Sequence, residues 1–200
     1  QRFKNREDAG NRLAASLGDF AKIDDALVLG LPRGGVIVAE AIARSLRKPL
    51  DVLVVRKLGV PGHEEVAMGA ITSGGVRVIN ESIIDSFHIG SAEIERAAEC
   101  ETMELERRER AYRSGRERCD VKDRTVILVD DGIATGATIS AAIRLLRLQK
   151  AGRVVVAVPV AAPDSAARIR SEADELIALF EPDPFIAVGR WYDDFEQTTD

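Results

Sequence analysis

The segment Val126–Thr138, which reads VILVDDGIATGAT, constrains the fold more than any other part of this sequence. Four branched apolar residues in a row leave no polar face for solvent. The run therefore predicts a strand buried on both sides, as in a parallel sheet covered by helices. Asp130 and Asp131 follow at its carboxyl end and offer acceptors for a diol or a hydrated cation. Gly136 lets the backbone close round an anion, and a helix beginning at Ala137 would turn its N–H groups and positive dipole end toward that anion. One short segment thus suits a sugar and its phosphate, a ribose 5-phosphate for example. The plainer alternative is an ordinary strand, turn and helix with a solvated Asp pair and a capping threonine. No Gly-Lys-Ser/Thr follows, so this is not a Walker A loop, and the spacing is not that of a G-x-G-x-x-G dinucleotide loop.

The rest of the chain alternates strand and helix. Asn5 can cap a first helix through about Leu17, in which Leu13 and Leu17 share a face. Ala26–Leu31 reads as a short buried strand, Gly34 and Gly35 turn into a helix over about Val36–Leu46, and Pro49 ends it. Asp51–Val55 is a second strand, and Met68–Thr72 with Val76–Ile79 flank a Ser73-Gly74-Gly75 turn. Between them, Gly59, Pro61 and Gly62 mark an irregular, mobile loop. After a charged segment, Ser91 to about Arg113, come Val126–Val129, a helix from Ala137 to Leu148, the strand Val154–Val160, a helix opened by Pro163, and the strand Glu175–Ala178. This order predicts an α/β fold with a doubly wound, mostly parallel sheet in a single domain, 1–200. Ligands of such sheets bind at the carboxyl ends of the strands, where the Asp pair falls.

Composition narrows the function classes. Two hundred residues can bury a sizeable core. A formal net charge of −5 argues against broad attachment to nucleic acid or an anionic membrane. No apolar run approaches the roughly 18 residues of a membrane span, and QRFKNREDAG is unlike a secretory signal. Cys100 and Cys119 form no metal-ligand or CxxC spacing. The expectation is a cytoplasmic protein with reduced thiols.

Three further segments carry candidate chemistry. Leu31-Pro32-Arg33-Gly34-Gly35 also joins a strand to a helix, so it opens on the same sheet edge as the Asp pair. Its backbone N–H groups and the planar fork of Arg33 suit phosphate oxygens. Arg56-Lys57 is either a solvated basic pair or a source of positive charge for an anionic ligand, and His63 in the same loop is either a surface residue or a proton donor. Glu104/Arg108, Glu106/Arg110 and Glu109/Arg113 are i,i+4 pairs that support an exposed helix; the secondary reading puts Arg107, Arg108 and Arg113 in a lid or a partner surface.

VILVDDGIATGAT resembles the phosphoribosyl-pyrophosphate (PRPP) signature of the type I phosphoribosyltransferase family, and LPRGG lies where that family has its pyrophosphate loop. The resemblance implies a cis peptide in that loop, a flexible loop near Arg56-Lys57, and a small hood built from the chain ends. It implies Mg2+-dependent transfer of phosphoribose from PRPP to a nitrogenous base, with release of pyrophosphate. Asp130 and Asp131 would hold the ribose hydroxyls and touch the metal directly, through water or through the ribose. Gly132, Ile133, Ala134, Thr135, Gly136, Ala137 and Thr138 would form the 5-phosphate loop. Arg33, Gly34, Gly35 and Lys57 would hold pyrophosphate, and the protein would be a homodimer or higher homo-oligomer. The tail PDPFIAVG followed by Tyr192-Asp193 looks like the purine cover of 6-oxopurine members, with Phe185 or Trp191 stacking on the base, unless both pack in the core. Those members usually carry an Asp where this chain has Ala134, so the acceptor stays open. A non-catalytic PRPP-binding regulator is the second reading, and a phosphosugar hydrolase on a similar sheet the third.

Overall fold

The computed structural model describes residues 2–196, so the two ends of the expected domain 1–200 lie outside the described residues. Its central sheet has five strands, all parallel: β1 (Leu27–Gly30), β2 (Leu50–Val52), β6 (Thr125–Val129), β7 (Arg153–Val160) and β8 (Glu175–Phe180), in the order β2-β1-β6-β7-β8. β1 and β6 are buried at every position and β7 at all but its first, the pattern of strands covered on both faces. On one face lie α1 (Arg6–Ser16) and α2 (Gly34–Leu46), which set Leu13, Val38, Ile42 and Leu46, with Leu17 just past the end of α1, against Val28, Ile127 and Val155. On the other face lie α5 (Ala137–Leu148) and α6 (Pro163–Glu172), which bring Ile139, Ile143, Leu146 and Ile169 onto Leu29, Leu128 and Val156. The sheet is therefore doubly wound. The chain leaves β1 first toward β2 and later returns to the other side of β1 with β6. The gap between β1 and β6 is the topological switch point, where such sheets bind ligands.

Local signals explain the helix starts. The Asn5 side chain accepts the Asp8 N–H at 2.9 Å and caps α1. Pro163 occupies the first turn of α6, where a missing N–H costs nothing.

One sequence expectation is corrected. The stretch around Gly59, Pro61 and Gly62 is not an irregular loop but an antiparallel hairpin of β3 (Arg56–Val60) and β4 (His63–Ile71), to which β5 (Arg77–Ile79) adds a third strand. Leu58, Val60 and Met68 alternate onto one face and pack against Ala98 and Leu105 of the long helix α4 (Ser91–Arg113). That burial outweighs the glycines and proline, which are absorbed by a register shift at Gly59 and a tight turn with Gly62 at φ 80°. A short helix, α3 (Glu81–Phe87), joins β5 to α4. On α4, Glu104 pairs with Arg108 at 3.0 Å and Glu109 with Arg113 at 3.2 Å, as the i,i+4 spacing predicts. Arg110 instead donates to the Glu106 carbonyl, at 3.4 Å.

The chain ends meet. Phe3 bridges to Tyr192, and their rings sit 5.4 Å apart. The Phe3 N–H donates to the Trp191 carbonyl at 2.8 Å and the Asp193 N–H to the Phe3 carbonyl at 2.8 Å. With Val188 and Phe180 these residues form a small apolar cap, the expected hood. Among the described residues no helix is long and apolar enough to cross a membrane.

Candidate active site

The loops leaving β1 and β6 touch across the switch point. The Leu31 N–H donates to the Val129 carbonyl at 2.9 Å, tying the two strand ends together. A Cβ placed on Gly35 would stand 2.7 Å from the Val129 carbonyl oxygen and 2.9 Å from Asp130 Cα, and one on Gly34 would strike the Asp131 carboxylate and, at 2.6 Å, Arg6 Nε. Both glycines are therefore required by close approach, and the PRGG loop lies directly on the Asp pair. The Pro32–Arg33 peptide is cis, the form the resemblance implied. Arg33 is exposed at the start of α2.

The two carboxylates sit in different surroundings. Asp130 accepts the Asp131 N–H at 2.8 Å. Desolvation, and then the charge of Asp131, push its carboxyl well above the ordinary aspartate range, although part of the residue stays open to solvent. Asp131 is held from both chain ends. Its Oδ2 lies 2.9 Å from Arg6 Nε, with side-chain exposures of 11% for Arg6 and 16% for Asp131, and its carbonyl accepts the Tyr192 hydroxyl at 2.6 Å. Burial pushes the Tyr192 phenol up, so it remains a donor.

The residues of the predicted 5-phosphate loop follow in order. Ile133 is buried and locked by two backbone bonds, its N–H to the Val160 carbonyl and its carbonyl from the Ala162 N–H. Gly136 takes φ 74° and caps α5, a conformation a side chain would strain. From α6, Ser165 Oγ donates to the Ala134 carbonyl at 2.6 Å and Arg168 to the Thr135 carbonyl. The loop is thus braced on its carbonyl side by α6, next to the first-turn N–H groups of α5. Gly132 lies under Val188, whose methyl a Cβ would meet at 2.6 Å, so the hood rests on the same loop.

The remaining predicted residues lie elsewhere. Lys57 lines a hollow of about 590 Å3 between the hairpin and α4, with Gly59, Glu64, Arg96 and Glu101, none of them from the Asp130 loop. Its neighbour Arg56 is paired with Glu101 at 2.6 Å. His63 is exposed on the hairpin, 3.9 Å from Glu65 and with its ring against Phe87. Phe185 and Trp191 do come together. Trp191 Nε1 donates to the Phe185 carbonyl at 3.1 Å, and both line a hollow of about 510 Å3 with Pro184, Ile186 and Arg190. Trp191 also packs on the hood core. Sequence reasoning missed Arg6, and it left Tyr192, Phe195, Ser165 and Arg168 without roles. No local pattern marks them, because each acts on a loop more than 30 residues away or through the tail.

Among the described residues no cluster of three or more His, Cys, Asp or Glu could hold a metal alone. A cation here would share Asp130 and Asp131 with a ligand.

The model of the phosphoribosyl transferase domain matches residues 1–189. Relatives from two strains of Mycobacterium tuberculosis, each provisionally named a phosphoribosyl transferase, are 46% identical over 198 residues, covering 99% of this chain. The chain spans only 44% of the length of each. The crystal structure of TT1426 from Thermus thermophilus has a TM-score of 0.88 at 42% identity, covering 100% of this chain and 94% of that one. A purine phosphoribosyltransferase from Pyrococcus horikoshii shares the fold, with a TM-score of 0.52 at 18% identity over 98% of this chain and 93% of that one.

Proposed function

Since this chain belongs to the phosphoribosyl transferase domain family, we propose that it transfers phosphoribose from PRPP to a nitrogenous base and releases pyrophosphate. The observation that carries the reading is the direct contact of two ligand loops at one switch point, with Gly34 and Gly35 lying on Asp131 and Asp130. A ligand spanning them would need a phosphate at one end and a polyanion at the other, with a diol between.

In this reading the 5-phosphate sits on Thr135, Gly136, Ala137 and Thr138, at the N-terminus of α5. Asp130 and Asp131 accept hydrogen bonds from the ribose hydroxyls, and their negative charge stabilises the oxocarbenium-like ring formed as the C1–O bond to pyrophosphate breaks. Arg33 and the N–H groups of Gly34 and Gly35 face the leaving pyrophosphate. Lys57, exposed on β3, is the proposed further source of positive charge for the leaving group. The acceptor nitrogen forms the new bond to C1 as the old one breaks, and its proton passes to solvent, because Ala134 offers no base. Phe185 and Trp191 are the proposed cover for the acceptor. Mg2+ fits the donor set, because it binds through few carboxylates, waters and substrate phosphates, and it would neutralise pyrophosphate charge beside Asp130 and Asp131.

The test has two stages. Calorimetry with PRPP and Mg2+ should show binding that Asp130→Asn with Asp131→Asn abolishes; unchanged affinity would refute the assignment. A panel of purines, pyrimidines and simple amines should then identify an acceptor by pyrophosphate release. Tight PRPP binding with no release for any acceptor would make the protein a regulatory PRPP binder.

A further inference from the structure

Asp131 is gripped from the two extremes of the chain in a way that no local motif explains. Arg6, the first residue of α1, directs Nε at Asp131 Oδ2 and donates through a terminal nitrogen to the Glu196 carbonyl at 2.8 Å. Its guanidinium lies 4.0 Å from the centre of the Phe195 ring, and that ring packs 5.0 Å from Tyr192. Tyr192 closes the circuit by donating to the Asp131 carbonyl. Side chain and main chain of Asp131 are each tied to a different end of the protein, and the ends are tied to each other by the Phe3–Tyr192 bridge.

We propose that Arg6 is a positioning residue, which with Tyr192 and Phe195 forms a latch orienting the Asp131 carboxylate toward the ribose hydroxyls of the bound sugar phosphate. The inference rests on the ribose-binding reading of Asp131. A carboxylate on a turn would otherwise sample several rotamers and point into solvent, and each rotamer lost on binding weakens affinity. Arg6 takes one oxygen through a charge-assisted bond and leaves the second for a hydroxyl donor. The Phe195 ring covers one face of the guanidinium, and Gly34 is the residue that leaves room for the guanidinium and carboxylate to meet. In this proposal Arg6 acts through Asp131 and not on the substrate, so its effect should appear chiefly where the sugar is held and far less where pyrophosphate is held.

The test compares Arg6→Ala, Arg6→Lys and Asp131→Asn in the full chain, at one fixed Mg2+ concentration, with PRPP and with pyrophosphate alone as probes. Arg6→Ala should weaken PRPP binding about tenfold or more, roughly the worth of a hydrogen bond to a charged group, while pyrophosphate binding stays as in the wild type. Arg6→Lys should recover part of the loss. Methylguanidinium added to Arg6→Ala should recover part of it too, an effect that general loosening of the fold does not produce. Adding Arg6→Ala to Asp131→Asn should cost little more than Asp131→Asn alone, because the carboxylate that Arg6 orients is already gone. Asp131→Asn that binds PRPP like the wild type overturns the ribose reading itself. Asp131→Asn that weakens binding while Arg6→Ala binds PRPP equally well or better leaves that reading standing and overturns the latch. If Arg6→Ala does not fold, Arg6→Lys decides: loss of PRPP affinity with retained pyrophosphate affinity supports the latch, and parallel loss of both overturns it.

Discussion

Gly35→Ala tests whether the PRGG loop and the Asp130 loop are packed as closely as the geometry requires. The new methyl carbon would sit 2.7 Å from the Val129 carbonyl oxygen and 2.9 Å from Asp130 Cα. Carbon atoms rest at about 3.5–4.0 Å, so a gap of roughly 0.6–1 Å must open. Neither atom can yield cheaply, because both are backbone and the Val129 carbonyl is held by the Leu31 N–H. Overpacking of this kind costs about 1–3 kcal/mol. At about 2–4 °C per kcal/mol for a protein of this size, the melting temperature should fall by roughly 2–12 °C. PRPP affinity should fall as well, because the shift separates the PRGG loop from the carboxylates. Two companions calibrate the measurement. Gly132→Ala meets the Val188 methyls at 2.6 and 2.9 Å and a Val160 methyl at 3.1 Å, side-chain atoms and no backbone, so its cost should be smaller. Gly18→Ala meets nothing within 4 Å and should be neutral or slightly stabilising. Differential scanning calorimetry of the three variants gives the ranking. A Gly35→Ala protein that melts with Gly18→Ala and binds PRPP like the wild type would refute the close-contact argument.

Two further outcomes follow from charge. Arg113 pairs with Asp51 at 3.0 Å, with exposures of 11% and 8%, and with Glu109 at 3.2 Å, so Arg113→Met strands two carboxylates and should cost about 3–5 kcal/mol by urea midpoint; a loss no larger than that of Lys22→Ala, which breaks only the exposed Lys22–Asp19 pair, would contradict it. Asp130 is raised above its unfolded value by desolvation first and Asp131 second, so its neutral form favours folding, and that favour is lost as pH climbs from the unfolded aspartate value, about 3.9, through the raised one. Asp130→Asn has no charge to bury, so its melting temperature relative to the wild type should rise with pH across that window; a difference flat with pH would count against the burial of this carboxyl.

Much of the scaffold was legible because its signals are local. VILV, VVVAVPV and the segment ending at Leu31 are continuous apolar runs, and Asn5, Pro163 and the glycines at 34–35 and 136 punctuate them as caps and turns. The contact of PRGG with the Asp pair was readable as a shared sheet edge, though not as a distance. The hairpin was obscured because Leu58, Val60 and Met68 keep strand spacing only across an interruption of glycines, proline and His63-Glu64-Glu65. Its face is chosen by Ala98 and Leu105 of α4, 30 or more residues further on. Arg6 was illegible for a sharper reason. Its side chain looks like any first-turn arginine, and the residue it serves is 125 positions away.

The bridge between Phe3 and Tyr192 also sets an order of events during synthesis. A ribosome delivers α1 and the sheet strands up to β8 before it delivers Tyr192. The long-range closure that brings residues 3 and 192 together must wait for Tyr192, because non-local contacts form only after the intervening chain exists and its loop entropy is met. Up to that moment Asp131 can sit at the end of a finished strand β6 with the tail half of its support still missing. Completion of this carboxylate's surroundings therefore reports, within the molecule itself, that translation has passed Tyr192.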